Sequence, residues 1–429
     1  DFNIKGCDFM EKYRVKLLKP AANMEISVPG SKSITNRALL MAALSDCRVC
    51  LKGVLFSDDS RYFLKALEEL GFKLQRDEEQ EGGMIPEKSG EIYVGSAGTA
   101  ARFLTAMLGL SGGTYTIQAS EQMKKRPMKA LFQALEQLGV HFDYLENEYF
   151  LPVRTLGKEA GKNRVTLDIS QTSQPLSALL MTSVMCNDGI SIDITSEKKQ
   201  GTYIEITRKM MQTFGMESIF DGTSYHARAG HTYHLSSYQI EPDVSAACYF
   251  YGLAAITGTS VTVKHIHMDT LQGDIRFTKV LEQMGCHVMD TTEGIRVSGP
   301  RDHKLHGLTV NMNQFSDQAL TMAAISVFAD CPVRIEGIAH IRLQECDRIK
   351  AISQNMKRLG IRCEEEADAV TVYPGKTVPC EIETYEDHRV AMAFTLIGLL
   401  RDGITILNPL CCKKTFENYY DVIESLYPA

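Results

Sequence analysis

The chain has 429 residues, of which 44% are hydrophobic, 23% are charged and 13 are proline. This composition is typical of a folded globular protein and excludes a long disordered or low-complexity chain. The formal net charge of −7 argues against a nucleic-acid surface, because such surfaces carry clustered basic residues. Uncharged apolar runs such as residues 390–400 are well short of the roughly 18 residues that a membrane span needs.

The residues before Met10 show neither the charged start nor the apolar core of a signal peptide. The 12 cysteines form no short disulfide framework. A single CxxC, Cys47 and Cys50, has no second pair and no neighbouring histidine in the sequence that would complete a zinc site. We therefore predict a cytoplasmic protein in which this cysteine pair has no metal or redox role, and with no membrane or nucleic-acid partner.

Two kinds of helix alternate along the chain. The first kind is apolar nearly all round, which predicts burial. Its starts are separated by 65, 75, 70, 74 and 70 residues and lie at Ser33, Gly98, Ser173, Asp243, Asp317 and Asp387. The second kind is amphipathic and stops at a glycine. These stops are separated by 68, 76, 70 and 75 residues and lie at Gly71, Gly139, Gly215, Gly285 and Gly360.

Helix type, order and spacing recur together, which favours six copies of one unit. Strand-like runs such as YTIQAS and VTVYP flank the helices. Each unit is therefore an α/β arrangement of strands with one buried and one half-exposed helix. Three units per lobe would give two similar domains. The alternative to a repeat is an ordinary α/β protein whose helices are regularly spaced by coincidence.

Basic residues lie near the starts of several buried helices. Lys32, Arg37, Arg102 and Arg389 have this position, and Arg348 opens the segment DRIKAI. A cation there is unfavourable by a few tenths to about 1 kcal/mol unless an anion compensates it. Helix N-termini with Gly-containing turns, here GSAGTAAR, bind anions. We infer a site for two small anions; ion pairs with nearby carboxylates are the alternative for any single arginine.

Eight motifs follow one another from about Met10 onward. In order they are PGSKSITNRALL, GSAGTAAR, KKRPM, TSQPLSALLM, SDQALTMAA, RLQECDR, YEDHRVAMAF and KKTFENYYD. Together they resemble the motifs of the 5-enolpyruvylshikimate-3-phosphate synthases. The resemblance implies transfer of the enolpyruvyl group of phosphoenolpyruvate to the 5-hydroxyl of shikimate 3-phosphate, with release of phosphate, by a monomer that needs no cofactor.

The resemblance also implies a two-domain inside-out α/β barrel with three βαβαββ repeats in each domain. One lobe would comprise residues 1–21 and 241–429, and the other residues 22–240. The active site would lie in the cleft between the lobes.

Site residues are carried over motif by motif. The resemblance places the following residues at shikimate 3-phosphate: Lys32, Ser33, Arg37, Thr172, Ser173, Gln174, Tyr203, Asp317, His340 and Gln344. It places these at phosphoenolpyruvate: Lys32, Ser96, Gly98, Arg126, Gln174, Arg348, Arg389 and Lys414. For catalysis it favours Asp317 as the group that orients and deprotonates the hydroxyl, with Glu345 and Lys32 exchanging protons at the reacting carbon and the departing oxygen.

Three positions and one stretch depart from the family pattern. Ser96 stands where asparagine is usual, and Gln344 replaces a lysine. His340 replaces an asparagine and would restore part of that charge when protonated. An insertion-like stretch at 196–203 disturbs a phosphate-binding serine, although Tyr203 keeps its place. We expect these changes to affect affinity more than the type of reaction.

Two other functions stay open at this point. A UDP-N-acetylglucosamine enolpyruvyl transferase would share fold and donor, but its loop cysteine is absent from SEQMKKRPM and its Lys-Asn pair is here Lys32-Ser33. A non-catalytic anion-binding protein would lack carboxylates beside the cations, whereas Asp317 and Glu345 are present. Either acid could instead be structural, Asp317 as a helix cap and Glu345 as an ion-pair partner.

Overall fold

The computed structural model describes residues 11–74, 80–81, 85–302 and 304–427. The prediction about the residues before Met10 lies outside this part of the chain. Among the described residues, no helix combines the length and the apolar character needed to cross a membrane.

Helices occupy the positions that the two alternating patterns predict. They are α1 (Lys32–Ala43), α2 (Asp58–Glu69), α3 (Gly98–Leu110), α4 (Glu121–Lys124), α5 (Lys129–Gln137), α6 (Gln174–Thr182), α7 (Thr202–Thr213), α8 (Val244–Thr257), α9 (Arg276–Gln283), α10 (Ala319–Ser326), α11 (Arg348–Arg358), α12 (His388–Leu400) and α13 (Tyr419–Glu424). A 3-10 turn, Ser316–Gln318, leads into α10.

Strands alternate with these helices. They are β1 (Lys12–Arg14), β2 (Asn23–Ile26), β3 (Arg48–Lys52), β4 (Gln80–Glu81), β5 (Ser89–Tyr93), β6 (Thr114–Gln118), β7 (Val140–Tyr144), β8 (Val153–Lys158), β9 (Arg164–Leu167), β10 (Ile190–Ile194), β11 (Ser218–Phe220), β12 (Ser224–Ala227), β13 (Ser237–Gln239), β14 (Ser260–Lys264), β15 (His287–Thr291), β16 (Gly294–Ser298), β17 (Thr309–Asn311), β18 (Val333–Glu336), β19 (Cys363–Glu365), β20 (Ala369–Val372), β21 (Cys380–Ile382) and β22 (Ile404–Leu407).

The chain divides into two compact units. Unit 1 comprises the chain up to Pro29 together with Pro242 onward, and unit 2 comprises Gly30–Glu241. Within the described residues, each unit contains three sheets of three or four strands. Mixed sheets covered by helices confirm the α/β class.

Every one of these sheets repeats the same order of pairing. In the sheet β5-β6-β8-β7, for example, β5 and β6 are parallel, whereas β8 is antiparallel to both β6 and β7. The sheets β9-β10-β12-β11 and β17-β18-β20-β19 have the same pattern. A buried helix connects the two parallel strands, as α3 connects β5 to β6, because parallel neighbours need a crossover.

Two sheets obtain their first strand from a distant part of the sequence. Strand β2 pairs in parallel with β14, and β13 pairs in parallel with β3. The domain boundary predicted after residue 21 therefore differs from the observed one after Pro29. Pairing with β14 keeps β2 in unit 1, and no local sequence pattern reveals a strand partner more than 200 residues away.

The two helix types differ in the structure as predicted. In α3 every residue is buried, and α12 is buried from His388 to Leu399. The amphipathic helices α2, α5, α7, α9 and α11 are each followed by a glycine with positive φ, from +73° at Gly360 to +99° at Gly285. This left-handed conformation is strained for residues with a Cβ, which explains why glycine recurs at these helix ends.

Candidate active site

The described N-cap residues of the buried helices in unit 2 do not cap these helices with their side chains. At the N-termini of α1, α3 and α6, the described residues provide no capping hydrogen bond from the N-cap side chain and no acidic residue in the first turn. Their first N–H groups and the positive end of the helix dipole are therefore not offset by these side chains. This is the local structure that binds anions.

Arg37 lies one turn into α1 and is only 2% exposed. It donates from Nε to Thr207 Oγ1 at 2.8 Å, from Nη1 to the Ser33 carbonyl at 2.8 Å and from Nη2 to the Tyr203 carbonyl at 3.2 Å. Ser177 Oγ accepts a fourth bond at 3.3 Å. Among the described residues, no carboxylate partners this guanidinium, so the ion-pair alternative is wrong for Arg37.

The pKa of Arg37 is unusually low for an arginine. Burial lowers the pKa of Arg37 to about 10, against an opposing effect of Tyr203. The guanidinium also lies 5.5 Å from the ring centroid of Phe103 and 5.8 Å from that of Tyr203. It remains charged at neutral pH, and a buried charge without a counter-ion is expensive unless a ligand supplies one.

Lys32 starts α1 and does have an acidic neighbour. Its Nζ lies 3.6 Å from Asp59 Oδ2, and the Asp59 side chain is 3% exposed. The other carboxylate oxygen of Asp59 is buried without a hydrogen bond from the described residues. We did not predict Asp59 as a site residue; a carboxylate in the first turn of α2 is indistinguishable from an ordinary helix-terminal acid in the sequence.

Two guanidinium groups converge at the start of α3. A Cβ atom placed on Gly98 would lie 2.6 Å from Arg126 Nη1 and 2.9 Å from Arg102 Nη1. Arg102 is 2% exposed and donates to Gln174 Oε1 at 2.7 Å, which links α3 to the start of α6. Glycine at position 98 thus leaves room for these two cations, which a Cβ atom would force to shift.

The remaining predicted residues of unit 2 surround these groups. Thr172 Oγ1 accepts from the Gln174 N–H at 3.3 Å, and Ser173 is the N-cap residue of α6. Tyr203 lies in the first turn of α7 and is 36% exposed. Ser96 is partly buried, two residues before α3.

In unit 1, Arg348 is the centre of a cluster of carboxylates. Its side chain is 1% exposed and contacts Asp387 at 2.7 Å, Glu345 at 2.9 Å and Asp317 at 3.0 Å. Burial alone would lower the pKa of Arg348, but the charges of these carboxylates outweigh burial and raise it. Asp387 also caps α12 through the Arg389 N–H at 2.8 Å.

Two further cations complete this cluster. Arg389 Nη2 lies 2.9 Å from Asp317 Oδ2, and Lys414 Nζ lies 3.4 Å from Glu345 Oε1. The structure therefore brings together five residues that we predicted from four separate motifs. It also places each of these cations in an ion pair, which is the alternative that we stated for single arginines.

Gln344 and His340 flank the cluster. Gln344 Oε1 accepts from Arg348 Nη1, so the residue that replaces the family's lysine is turned toward the cluster. His340 Nε2 lies 2.7 Å from Ser316 Oγ, next to Asp317 in the turn that leads into α10. Both residues therefore lie beside the predicted acids.

Asp274 is a buried acid that the sequence analysis missed. It is 7% exposed and accepts from Ser245 Oγ and, at 2.8 Å, from Gln318 Nε2. Burial and the charge of Asp317 raise the pKa of Asp274 to about 6, although Arg389 opposes the shift. Asp274 precedes α9, far from the motifs in the sequence, so only the packing of α8 and α10 shows that it borders the site.

The sequence profile of a known family matches this chain over residues 19–423. Its description is "EPSP synthase (3-phosphoshikimate 1-carboxyvinyltransferase)". The chain belongs to the EPSP synthase family. Among similar proteins, the 3-phosphoshikimate 1-carboxyvinyltransferase of a Nostoc species is 39% identical over 96% of this chain and 98% of its own length. The chloroplastic enzyme of Arabidopsis thaliana is 38% identical over 97% of this chain and 85% of its own length.

Solved structures agree with this assignment at the level of the fold. The EPSP synthase of Acinetobacter baumannii superposes with a TM-score of 0.82, covering 97% of this chain and 98% of its own, at 22% identity. The enolpyruvyl transferase NikO of Streptomyces tendae gives a TM-score of 0.77 at 13% identity, covering 97% of this chain and 96% of its own. At these identities the likeness concerns the fold, whereas the profile and the curated relatives identify the family.

Proposed function

We propose that this EPSP synthase family member transfers the enolpyruvyl group of phosphoenolpyruvate to the 5-hydroxyl of shikimate 3-phosphate and releases phosphate. This is 3-phosphoshikimate 1-carboxyvinyltransferase activity in aromatic amino acid biosynthesis. The observation that carries the proposal is Arg37, a buried cation without a carboxylate partner in the described chain, at a helix start that the described side chains leave uncapped. A substrate phosphate supplies the missing negative charge.

Unit 2 supplies the anion-binding groups in this proposal. Arg37, Ser33 and the start of α6 at Thr172, Ser173 and Gln174 hold shikimate 3-phosphate, with Tyr203 beside them. Ser96, Gly98 and Arg126 at the start of α3 hold phosphoenolpyruvate together with Gln174. Backbone N–H groups at two helix starts bind phosphate well, since both hydrogen bonding and the helix dipole favour an anion.

Unit 1 supplies the acids together with further cations. His340 and Gln344 complete the acceptor side, while Arg348, Arg389 and Lys414 bind the carboxylate and phosphate of phosphoenolpyruvate. Asp317 is oriented through both oxygens, toward Arg348 and Arg389. A carboxylate held in this way can receive a hydroxyl proton without losing its position.

In the first step, the 5-hydroxyl passes its proton to Asp317 and its oxygen bonds to C2 of phosphoenolpyruvate, while the methylene carbon gains a proton. In the second step that carbon loses a proton, the double bond re-forms and the C2–O bond to phosphate breaks. Glu345 and Lys32 exchange the protons at the carbon and at the departing oxygen. Fixed cations offset the charge that moves in both steps.

The finer architecture is part of the same proposal. The six similar sheets would form a two-domain inside-out α/β barrel, and groups of both units would act on one pair of substrates. We also expect a cytoplasmic monomer. Elution of the ligand-free protein at the mass of a dimer, measured by light scattering, would contradict the monomer.

The reaction is tested by measuring phosphate release with phosphoenolpyruvate and either of two acceptors. We expect release with shikimate 3-phosphate and none with UDP-N-acetylglucosamine. Release with the second acceptor alone would identify the sibling activity. If neither acceptor leads to phosphate release, and the protein unfolds cooperatively, the result would favour a protein that only binds anions.

The role of Glu345 is tested by Glu345→Gln. This variant keeps the size of the side chain but cannot take up the proton, so we expect kcat to fall by about 10²–10⁴-fold with much smaller changes in the KM values. Glu365→Gln is the matched control, since Glu365 pairs with Arg342 at the surface and should leave kcat unchanged. Unchanged turnover of Glu345→Gln would remove Glu345 from the catalytic groups.

A further inference from the structure

A thiol, an imidazole and a carboxylate meet in unit 2 outside the candidate active site. Asp46, Cys47 and His234 each offer one ligand atom, and these atoms lie within 4.8 Å of one another. Within the described part of the chain, no other three histidine, cysteine, aspartate or glutamate side chains bring their ligand atoms so close together. His234 is distant from the CxxC in the sequence, but the fold brings it close to Cys47.

Strand pairing explains how these residues meet. Residue 45 forms a parallel bridge with residue 233, and β3 continues in parallel with β13. The Asp46 N–H donates to the Tyr233 carbonyl at 3.0 Å. The turn before β3 is thus held against the segment before β13, although the two are 188 residues apart in sequence.

The three side chains are arranged toward one another. His234 Nδ1 lies 2.7 Å from Asp46 Oδ1, and Thr232 Oγ1 donates to Asp46 Oδ2 at 2.8 Å. Cys47 Sγ lies 3.7 Å from the carbonyl oxygen of Leu235, next to His234. The side chains of His234 and Asp46 are 73% and 49% exposed, so a metal ion can reach them from solvent.

We propose that Asp46, Cys47 and His234 form a binding site for a borderline divalent cation of the zinc type. Thiolate, imidazole and carboxylate are the ligands such ions prefer, and a fourth position stays open to water. For all three ligand atoms to reach zinc bond lengths of about 2.0–2.3 Å, the hydrogen bond between His234 Nδ1 and Asp46 Oδ1 opens and the Cys47 thiolate moves toward the pair. On binding, the thiol proton leaves to solvent and the imidazole coordinates in its neutral form.

Unit 1 contains a related arrangement that serves as an internal control. His306 Nδ1 lies 2.9 Å from Asp330 Oδ2, and Cys331 follows Asp330 as Cys47 follows Asp46. There the backbone N–H of Gly307 donates a hydrogen bond to the other carboxylate oxygen of Asp330. The His–Asp pair is therefore a recurring tie between strand ends. The Cys331 thiol also contacts Asp330, but among the described residues only the unit 2 copy brings the ligand atoms of a thiol, an imidazole and a carboxylate within 4.8 Å of one another.

The test is a titration of the reduced, full-length protein with Co²⁺, followed by displacement with Zn²⁺. We expect one equivalent to produce a thiolate-to-cobalt charge-transfer band and the visible bands of four-coordinate Co²⁺, both lost when Zn²⁺ is added. Cys47→Ser should abolish the charge-transfer band, and Cys331→Ser should leave it unchanged. Thr232→Ala removes the hydroxyl group that donates to Asp46 Oδ2 and orients this carboxylate. It should weaken metal binding by about 10–100-fold.

The proposal is independent of the enzymatic activity, so its failure and that of the proposed function are separable. A charge-transfer band that persists in Cys47→Ser would overturn it. So would loss of the band in Cys331→Ser, or the absence of one-equivalent binding by the wild-type protein. His234→Ala gives a second check at an exposed position where folding is not at risk, and it should lower affinity as strongly as Cys47→Ser.

Discussion

Arg37 of unit 2 and Arg348 of unit 1 are both almost completely buried, but their surroundings differ. Arg348 contacts three carboxylates, whereas the described partners of Arg37 are two hydroxyl groups and two carbonyl groups. The helices follow the same contrast. Asp243 and Asp387 cap α8 and α12 of unit 1, while the described N-cap side chains of α1 and α3 in unit 2 accept no such bond.

This difference separates two uses of a buried cation. In unit 1 the protein supplies the counter-charges itself, so the acids and cations hold one another in fixed positions. In unit 2 the described partners of Arg37 are all uncharged, and we propose that a ligand supplies its counter-charge. Four predictions test this comparison, in order of the expected size of the effect.

Replacing Arg348 should have the largest effect on stability. Arg348→Met leaves Asp387, Glu345 and Asp317 without their shared cation, and breaking a buried ion pair in this way costs about 3–5 kcal/mol of unfolding free energy. Urea denaturation measures the change. Arg164→Met is the control, because Arg164 pairs with Asp193 at the surface, with 64% of the arginine side chain exposed, and should cost about 1 kcal/mol or less. Equal losses would contradict the central position of Arg348.

The ionisation of Asp274 should make stability depend on pH. Because its folded-state pKa is raised to about 6 from 3.8, the neutral acid favours the folded state below about pH 4, and this contribution is lost as pH rises to about 6. Asp274→Asn stays neutral and should therefore be more stable than wild type at pH 7, by about 1–3 kcal/mol. At pH 4 the difference should nearly vanish. A constant difference across this range would show that Asp274 is already ionised at pH 4.

A methyl group at position 98 should weaken phosphoenolpyruvate binding. Gly98→Ala displaces the guanidinium of Arg126 from the start of α3, and a loss of about 1.4 kcal/mol corresponds to a tenfold higher KM. Steady-state kinetics with each substrate varied in turn measures this. Gly90→Ala is the control, since a Cβ there meets no atom within 4 Å. An unchanged KM for phosphoenolpyruvate in Gly98→Ala would separate Arg126 from donor binding.

Replacing Arg37 should have the smallest effect on the stability of the ligand-free protein. Arg37→Met removes a buried charge whose desolvation opposes folding, and Thr207 and Ser177 keep their own hydrogen bond at 2.8 Å. We expect a change within about 1 kcal/mol in urea denaturation. A loss as large as that of Arg348→Met would mean that Arg37 is a structural cation like Arg348.

The sequence allowed the helices to be predicted because their signals are local. Apolar residues around α3 and α12 indicated burial, and the glycines after α2, α5, α7, α9 and α11 indicated where these helices end. The boundary at Pro29 was missed because β2 pairs with β14, a partner that only the folded chain brings near. For the same reason, the approach of His234 to Cys47 depends on the pairing of β3 with β13.

The sequence predicted those residues of the candidate site that lie within recognisable motifs. The cluster around Arg348 contains Asp317, Glu345, Arg389 and Lys414, all of which the resemblance implied. Asp59 and Asp274 were missed, since a single carboxylate near a helix start has many ordinary explanations. The sequence also could not show that Arg348 is paired with acids while Arg37 has no acidic partner in the described part of the chain, because this depends on which helices pack together.

The measurement that tests the account most directly is a calorimetric titration of the ligand-free protein with shikimate 3-phosphate. Wild type and Glu345→Gln should bind it with similar affinity. Arg37→Met should bind about 10–100-fold more weakly, because a hydrogen bond to a charged group contributes about 1.5–3 kcal/mol. Wild-type affinity in Arg37→Met would contradict the claim that the substrate phosphate is the missing counter-ion of Arg37.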